Sequence, residues 1–246
     1  MVNATQPALS DRIAMMRWTA RMGAITAEAL AAREGTSVAS ARGRLLASER
    51  ASLLRRRRPL TGQPALYTIT RAGLRACGLS GLDPCHVSAS NALHAIVCVE
   101  VAVALERCYP HHRVLGEREL RRDERERGVA LASARLGEAP GGGSLLHRPD
   151  LVLWPERSDD GLPVAVEVEL TVKAPRRLAH ICRAWARCRC VSGVLYLVAP
   201  EVDRALARAV ETVQGGERIA VVPLDALARC NAPTPAPSER TVPSDA

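Results

Sequence analysis

Phenylalanine is absent from these 246 residues, and only three Trp and three Tyr are present. Any core must be built from Leu, Val, Ile and Ala, through many small contacts instead of a few large rings. Lysine is almost missing too: of 34 basic residues, 33 are Arg and one is Lys173. Such drift toward arginine and alanine points to a base-composition bias in the gene, so a single Arg is weak evidence and the lone Lys invites an explanation. Uncharged apolar runs such as Val191 to Pro200 are about half the roughly 20 residues that span a bilayer. Residues 1–12 show no basic start followed by an apolar core. No membrane span and no secretory signal are expected, and the expected location is cytoplasmic. Eight cysteines are too sparse for a disulfide-stapled scaffold. Cys85-His86 and the group His180, Cys182, Cys188 and Cys190 fit no standard zinc spacing, so the cysteines read as small buried residues.

What is present is a globular composition, 47% apolar and 24% charged, enough for one large or two modest cores. The formal net charge of +8 is unevenly placed. Residues 1–88 hold 13 Arg against 5 acidic residues, and the remainder holds 21 basic against 21 acidic. All of the excess positive charge belongs to the first third, as expected of a segment that docks on a polyanion.

Within that third, Ile13, Met16 and Ala20 predict a first helix with Ser10 as its N-cap. Thr26 caps a second helix that Gly35 ends, and Thr36 or Ser37 opens a third. On the third, Val38, Ala41 and Leu45 face inward. Ser37, Ser40, Gly43, Arg44 and Ala47 lie opposite, the small and hydroxylic surface a helix needs to approach base edges in a major groove. Two short strands then surround the turn Pro59 to Pro64. The first carries Arg55, Arg56, Arg57 and Arg58, placed where phosphates would lie if the third helix sat in a groove. The segment from Tyr67 to Leu74 resembles the Y-x-L-T-x-x-G stretch that closes the wing of bacterial winged-helix DNA-binding domains. That likeness covers roughly residues 10 to 79.

Beyond a connector near residue 85, the pattern predicts a helix over 90–108 and a strand near 113–120. An Arg/Glu-rich stretch, a Gly-rich excursion at 141–144 and a strand from Arg148 to Trp154 come next. A strand from Val164 to Lys173 precedes a helix from Pro175 to about 189, with Leu178, Ile181, Cys182 and Trp185 on one stripe. A strand over 191–198, a helix over 202–213, a strand over 218–223 and a disordered tail complete the chain. Alternation along the 164–173 strand puts Glu167, Glu169, Thr171 and Lys173 on one face. Two carboxylates about 7 Å apart on so apolar a strand lose hydration and repel unless a cation joins them. Asp150, at the end of the neighbouring strand, makes a third candidate for one or two Mg²⁺ ions.

This order, with Pro149-Asp150 and Glu167-x-Glu169, resembles the PD-(D/E)XK nuclease superfamily. With a winged helix in front, His94 on the linking helix, Glu117-Arg-Glu-Leu-Arg121 and Glu-Val-Glu-Leu-Thr-x-Lys173, it is similar to bacterial plasmid replication-relaxation proteins over residues 10 to 225. The resemblance implies an α/β chain, α+β overall: a winged helix-turn-helix domain (1–80), a linker (81–89), a PD-(D/E)XK nuclease-like mixed sheet flanked by helices (90–230) and a tail (231–246). It also implies double-stranded DNA as partner and Mg²⁺-dependent phosphodiester hydrolysis. Asp150, Glu167 and Glu169 would be metal ligands, and these three with Lys173 the catalytic set. In the usual pattern a Lys stands where Glu169 is. Lys173 lies on the right face but about 13 Å along an extended strand, against about 7 Å in the usual spacing. The alternatives are a winged-helix transcriptional regulator with an inactive nuclease-like domain, or an assembly factor at a replication origin. A homodimer would suit a palindromic site, although no heptad supplies one. Glu117, Glu119, His94, His147 and His180 are weaker candidates for the same cleft.

Overall fold

A computed structural model describes residues 5–139, 141–157 and 161–227. The expected tail, 231–246, lies outside the described residues. Eight helices and three sheets are described: α1 (Thr5–Met22), β1 (Ala24–Ile25), α2 (Ala27–Glu34), α3 (Val38–Arg50), β2 (Leu54–Arg57), β3 (Leu66–Ile69), α4 (Arg71–Ala76), α5 (Ala89–Cys108), β4 (His112–Gly116), α6 (Glu117–Arg127), β5 (Ala134–Glu138), β6 (Ser144–His147), β7 (Leu151–Pro155), β8 (Val164–Glu169), α7 (Pro175–Arg187), β9 (Gly193–Val198), α8 (Pro200–Thr212) and β10 (Ile219–Pro223). The chain is α/β in class, with a mixed sheet flanked by helices.

The N-terminal part folds around local signals. Thr26 Oγ1 accepts the Ala29 N–H at 3.0 Å to start α2, and Gly35 ends that helix at φ 66°, a left-handed conformation that suits glycine. Ser37 caps α3 through the Ser40 N–H. Ser10, expected as an N-cap, instead lies inside α1, which begins at Thr5. Strands β2 and β3 pair antiparallel around the Pro59–Pro64 turn, and β1 joins the other side of β3. Leu30, Leu45, Leu54, Tyr67 and Leu74 close a core with Met15, Met16 and Trp18 of α1.

The C-terminal sheet has the order β10-β9-β8-β7-β4. Its β4, β7 and β8 neighbours run antiparallel, while β8, β9 and β10 run parallel. Val166 and Val168 of β8 pack with Leu105 of α5 on one face. Ala165 packs with Leu178 and Trp185 of α7 and Leu206 of α8 on the other.

Helix α5 ties the parts together. Val99 and Val103 enter the N-terminal core, Val101, Ala102 and Leu105 enter the sheet core, and Ala92 and Ile96 pack on Leu66 of the hairpin. A helix apolar on every side is a core helix. By length and composition α5 could also cross a membrane, a property hidden in the sequence by Glu100 and His94. The preceding connector is anchored as well, with Leu82 and Val87 buried.

One expectation fails in the stretch that follows. The strand foreseen at 113–120 ends at Gly116, and Glu117 and Glu119 belong to helix α6. Alternating Glu and Arg form i,i+4 pairs such as Glu117–Arg121, which favour a helix, and Gly128 closes it in the left-handed region. The excursion at Gly141–Gly143 is the turn of a hairpin between β5 and β6, its three glycines all at positive φ.

Candidate functional site

The site is a fork between β7 and β8. Their pairing stops at Leu151 opposite Val166. Two residues further along, the same register would set Pro149 against Val168, and proline has no N–H to offer. Side chains complete the ladder instead. The Val168 N–H donates to Asp150 Oδ2 at 2.8 Å, and the Val168 carbonyl lies 3.1 Å from His94 Nε2. Since a carbonyl only accepts, Nε2 carries a proton and Nδ1 is left to face Cys98 Sγ at 3.5 Å. Asp150 Oδ2 is 3.3 Å from His94 Nε2, and this bond lifts the His94 pKa above its ordinary value against the opposing effect of burial. The Asp150 carbonyl accepts the Glu117 N–H at 3.1 Å, so the start of α6 pins the same corner.

Glu167 points to the α7 side of the sheet, 5% exposed. Its Oε1 accepts the Trp185 indole N–H at 3.0 Å and lies 2.7 Å from His147 Nε2. The hairpin brings His147, at the end of β6, edge-on to Trp185. Burial pushes the Glu167 carboxyl above the usual carboxylate range, while His147 pulls it down and Asp150 adds to the rise.

Glu169 is equally buried and pairs through Oε2 with Lys173 Nζ. The expected extended strand to Lys173 is therefore corrected: β8 ends at Glu169, and the chain turns before α7 begins at Pro175. Proline opens a helix readily and holds the residue before it extended, which ends the strand early and lets Lys173 fold back. The roughly 13 Å separation of an extended strand does not exist in the fold.

Asp150, Glu167, Glu169 and Lys173 thus gather at one end of the sheet. All three carboxylates raise the pKa of Tyr196, after burial itself, and among the described residues the buried Tyr196 hydroxyl has no hydrogen-bond partner. Carboxylate oxygens are the donor class that a hard divalent cation such as Mg²⁺ takes, but among the described residues the three carboxylates do not meet as a set within 4.8 Å of one another, whereas His94, Cys98 and Asp150 do. Each carboxylate also binds a protein group: Asp150 the Val168 N–H, Glu167 Trp185, Glu169 Lys173.

Around α3 the basic residues divide. Arg55 to Arg58 are exposed, and among the described residues none forms an ion pair. Arg56 and Arg58 act with Arg42 of α3 on Tyr67, lowering its pKa against the larger effect of burial. Arg55 lines a different hollow with Thr70 and Arg71. Ser40 is exposed and Ser37 serves as a cap. Arg44, expected to face bases, is tied to Glu34 and to the Asp11 carbonyl.

No protein-family model, curated protein or solved structure matches the chain.

Three participants do not stand out in the sequence. Arg42 stands two residues before Arg44, lines one hollow with Arg56 and Arg58, and pairs with Glu28 at 3.4 Å. Trp185 reads only as part of an apolar stripe, although an indole N–H in a core needs an acceptor, and Glu167 supplies it. Cys98 is marked only by its spacing of four from His94, and that spacing gains meaning once Asp150 arrives from another strand.

Proposed function

We propose that the chain binds double-stranded DNA in the replication or maintenance of a plasmid or other mobile element, and nicks it in an Mg²⁺-dependent reaction at the fork. The observation that carries this reading is the run Arg55 to Arg58, exposed and without an ion pair among the described residues, on a hairpin beside α3. Side chains so free can neutralise phosphates and release counterions. The order α1, β1, α2, α3, β2, β3 supports a winged helix as the docking module. In it Arg42, Arg56 and Arg58 hold one phosphate path, Ser40 approaches the bases, and Arg44 stiffens the base of α3.

In the second region Asp150, Glu167 and Glu169 would hold the ion, which when bound lowers the pKa of a water and offsets charge on the scissile phosphate. The chain's own contributions are positional. Trp185 and His147 fix Glu167, the Val168 N–H fixes Asp150, and Lys173 places an ammonium beside Glu169 where a phosphate would need one. A second reading, a regulator whose nuclease-like domain is inactive, is favoured by one specific observation: Glu169 occupies the usual Lys position and holds Lys173 in an ion pair.

Incubating the chain with supercoiled plasmid in Mg²⁺ and in EDTA tests both. Nicking that needs Mg²⁺ and disappears in Asp150→Ala and Glu167→Ala is the expected result. Salt-sensitive binding with the plasmid left intact selects the regulator. Absence of DNA binding in both conditions removes both readings.

A further inference from the structure

Cys98 follows His94 by four residues on α5, so both side chains leave one face of the helix. Asp150 reaches them from the head of β7. One ligand atom from each residue lies within 4.8 Å of the other two. The separations are 3.7 Å between Cys98 Sγ and His94 Nε2, and 3.3 Å between His94 Nε2 and Asp150 Oδ2. A tetrahedral ion with bonds of about 2.0 to 2.1 Å to nitrogen and oxygen and about 2.3 Å to sulfur keeps neighbouring N and S roughly 3.6 Å apart, and N and O roughly 3.4 Å. The nitrogen–sulfur and nitrogen–oxygen separations already stand close to those values, and sulfur and oxygen lie within 4.8 Å of each other.

We propose that His94, Cys98 and Asp150 form a binding site for a transition-metal ion of the zinc class at the mouth of the fork. Thiolate, imidazole and carboxylate together suit a borderline ion, whereas Mg²⁺ takes oxygen donors and keeps several of its waters. The site is built and not incidental. The Val168 N–H fixes the Asp150 carboxylate, and the long packed helix α5 fixes the two others. His94 is 39% and Asp150 22% exposed along the side chain, so an ion can enter and a water can complete the tetrahedron. Binding releases the Cys98 thiol proton to solvent and moves the His94 proton from Nε2 to Nδ1, so the imidazole binds in its neutral form. Asp150 belongs to this set and to the carboxylate group with Glu167 and Glu169, so an ion here withdraws it from that group and governs the fork. The inference shares Asp150 with the reading above but needs neither DNA nor cleavage.

Co²⁺ is the probe, titrated into the full-length chain. One equivalent is expected to give the visible absorption of a tetrahedral ion together with a near-ultraviolet thiolate-to-cobalt band. Both should be displaced by Zn²⁺ and unaffected by excess Mg²⁺. Cys98→Ser should remove the near-ultraviolet band. His94→Ala and Asp150→Asn, the latter retaining an acceptor for Val168, should weaken Co²⁺ binding about 100-fold or more. The double variant Cys188→Ser/Cys190→Ser, which removes the other close pair of thiols, should keep both absorptions. The proposal is overturned if the near-ultraviolet band is absent from the unmutated chain, or if it persists in Cys98→Ser and vanishes in the Cys188/Cys190 variant. Since the readout is spectroscopic and contains no DNA, it fails or succeeds independently of any nicking result.

Discussion

Arg55 to Arg58 and the pair Glu167 with Glu169 are both runs of like charge on strands, and the fold handles them in opposite ways. The arginines project from the edge strand of a three-stranded sheet into water, where repulsion is screened and no partner is required. The glutamates lie inside a sheet layered between helices, where like charges repel strongly and each must bind a proton donor, as Glu167 does with Trp185 and Glu169 with Lys173. One arrangement suits a large, mobile polyanion met at the surface. The other leaves a buried pair of carboxylates, offset by one Lys, that favours cations over anions. Exposed charge is tuned by number, buried charge by geometry, and experiments that alter one should leave the other nearly untouched.

The largest expected effect is at the fork. An ion-assisted transition state is stabilised by several kcal/mol. At about 1.4 kcal/mol per tenfold, Asp150→Ala or Glu167→Ala should slow Mg²⁺-dependent nicking roughly 10³-fold with little change in DNA affinity. Nicking at an undiminished rate would mean that the buried glutamates serve only the fold.

Next comes the hairpin. Replacing Arg55 to Arg58 by Ala should lower the slope of log affinity against log salt by about 3 to 4, at roughly 0.9 for each phosphate no longer neutralised, with nicking chemistry intact once DNA is bound. The alternation of the strand sharpens the test. Arg56→Ala/Arg58→Ala, on the side shared with Arg42, should cost more affinity than Arg55→Ala/Arg57→Ala. Equal losses would place the DNA across both sides of the hairpin.

A smaller effect probes whether the two regions are one folding unit. A Cβ at Gly116 would come within 2.6 Å of the Arg21 carbonyl of α1, a backbone atom that cannot swing away. Gly116→Ala should therefore cost about 1 to 3 kcal/mol. Because α5 serves both cores, urea unfolding followed by separate probes of the two regions should remain a single transition. Two transitions, with only one moved by the substitution, would show that α1 and β4 meet without coupling.

How much of the molecule is legible in its sequence differs by the range of the interaction. The caps at Thr26 and Ser37, the hairpin and the α7 stripe are local patterns, and the strand from Val164 is apolar enough to announce itself. Its end is not legible, because the turn after Glu169 is set by Pro175 and by an ion pair formed only once Lys173 has folded back. Helix α6 reads as strand since Val114 and Leu115 run directly into charged residues, whose helical pairing competes with β periodicity. The fork is invisible as a shape. Pro149 is its cause, and its consequence falls on Val168, nineteen residues later, where Asp150 and His94 replace a missing strand.

The smallest expected effect concerns two thiols outside both charged runs. Cys188 and Cys190 sit 3.2 Å apart, sulfur to sulfur, and both approach the Ser133 carbonyl. Cys190 acts as the donor to Cys188, lowering the Cys188 pKa to about 6 against burial, with Arg218 helping. The same hydrogen bond raises Cys190. One thiolate therefore forms as pH rises through about 6, and the second proton stays on Cys190 to much higher pH. Thiolate absorbance near 240 nm should show a one-proton step at that pH, and Cys190→Ala should move it up toward the ordinary value near 9, since its first cause is the missing hydrogen bond. Cys190→Ser retains a donor and should move it less. DNA affinity and nicking should be unchanged in both variants. A change in either would mean that the β5–β6 hairpin, through Ser133 and His147, transmits strain to Glu167, and that the buried region is less self-contained than its geometry implies.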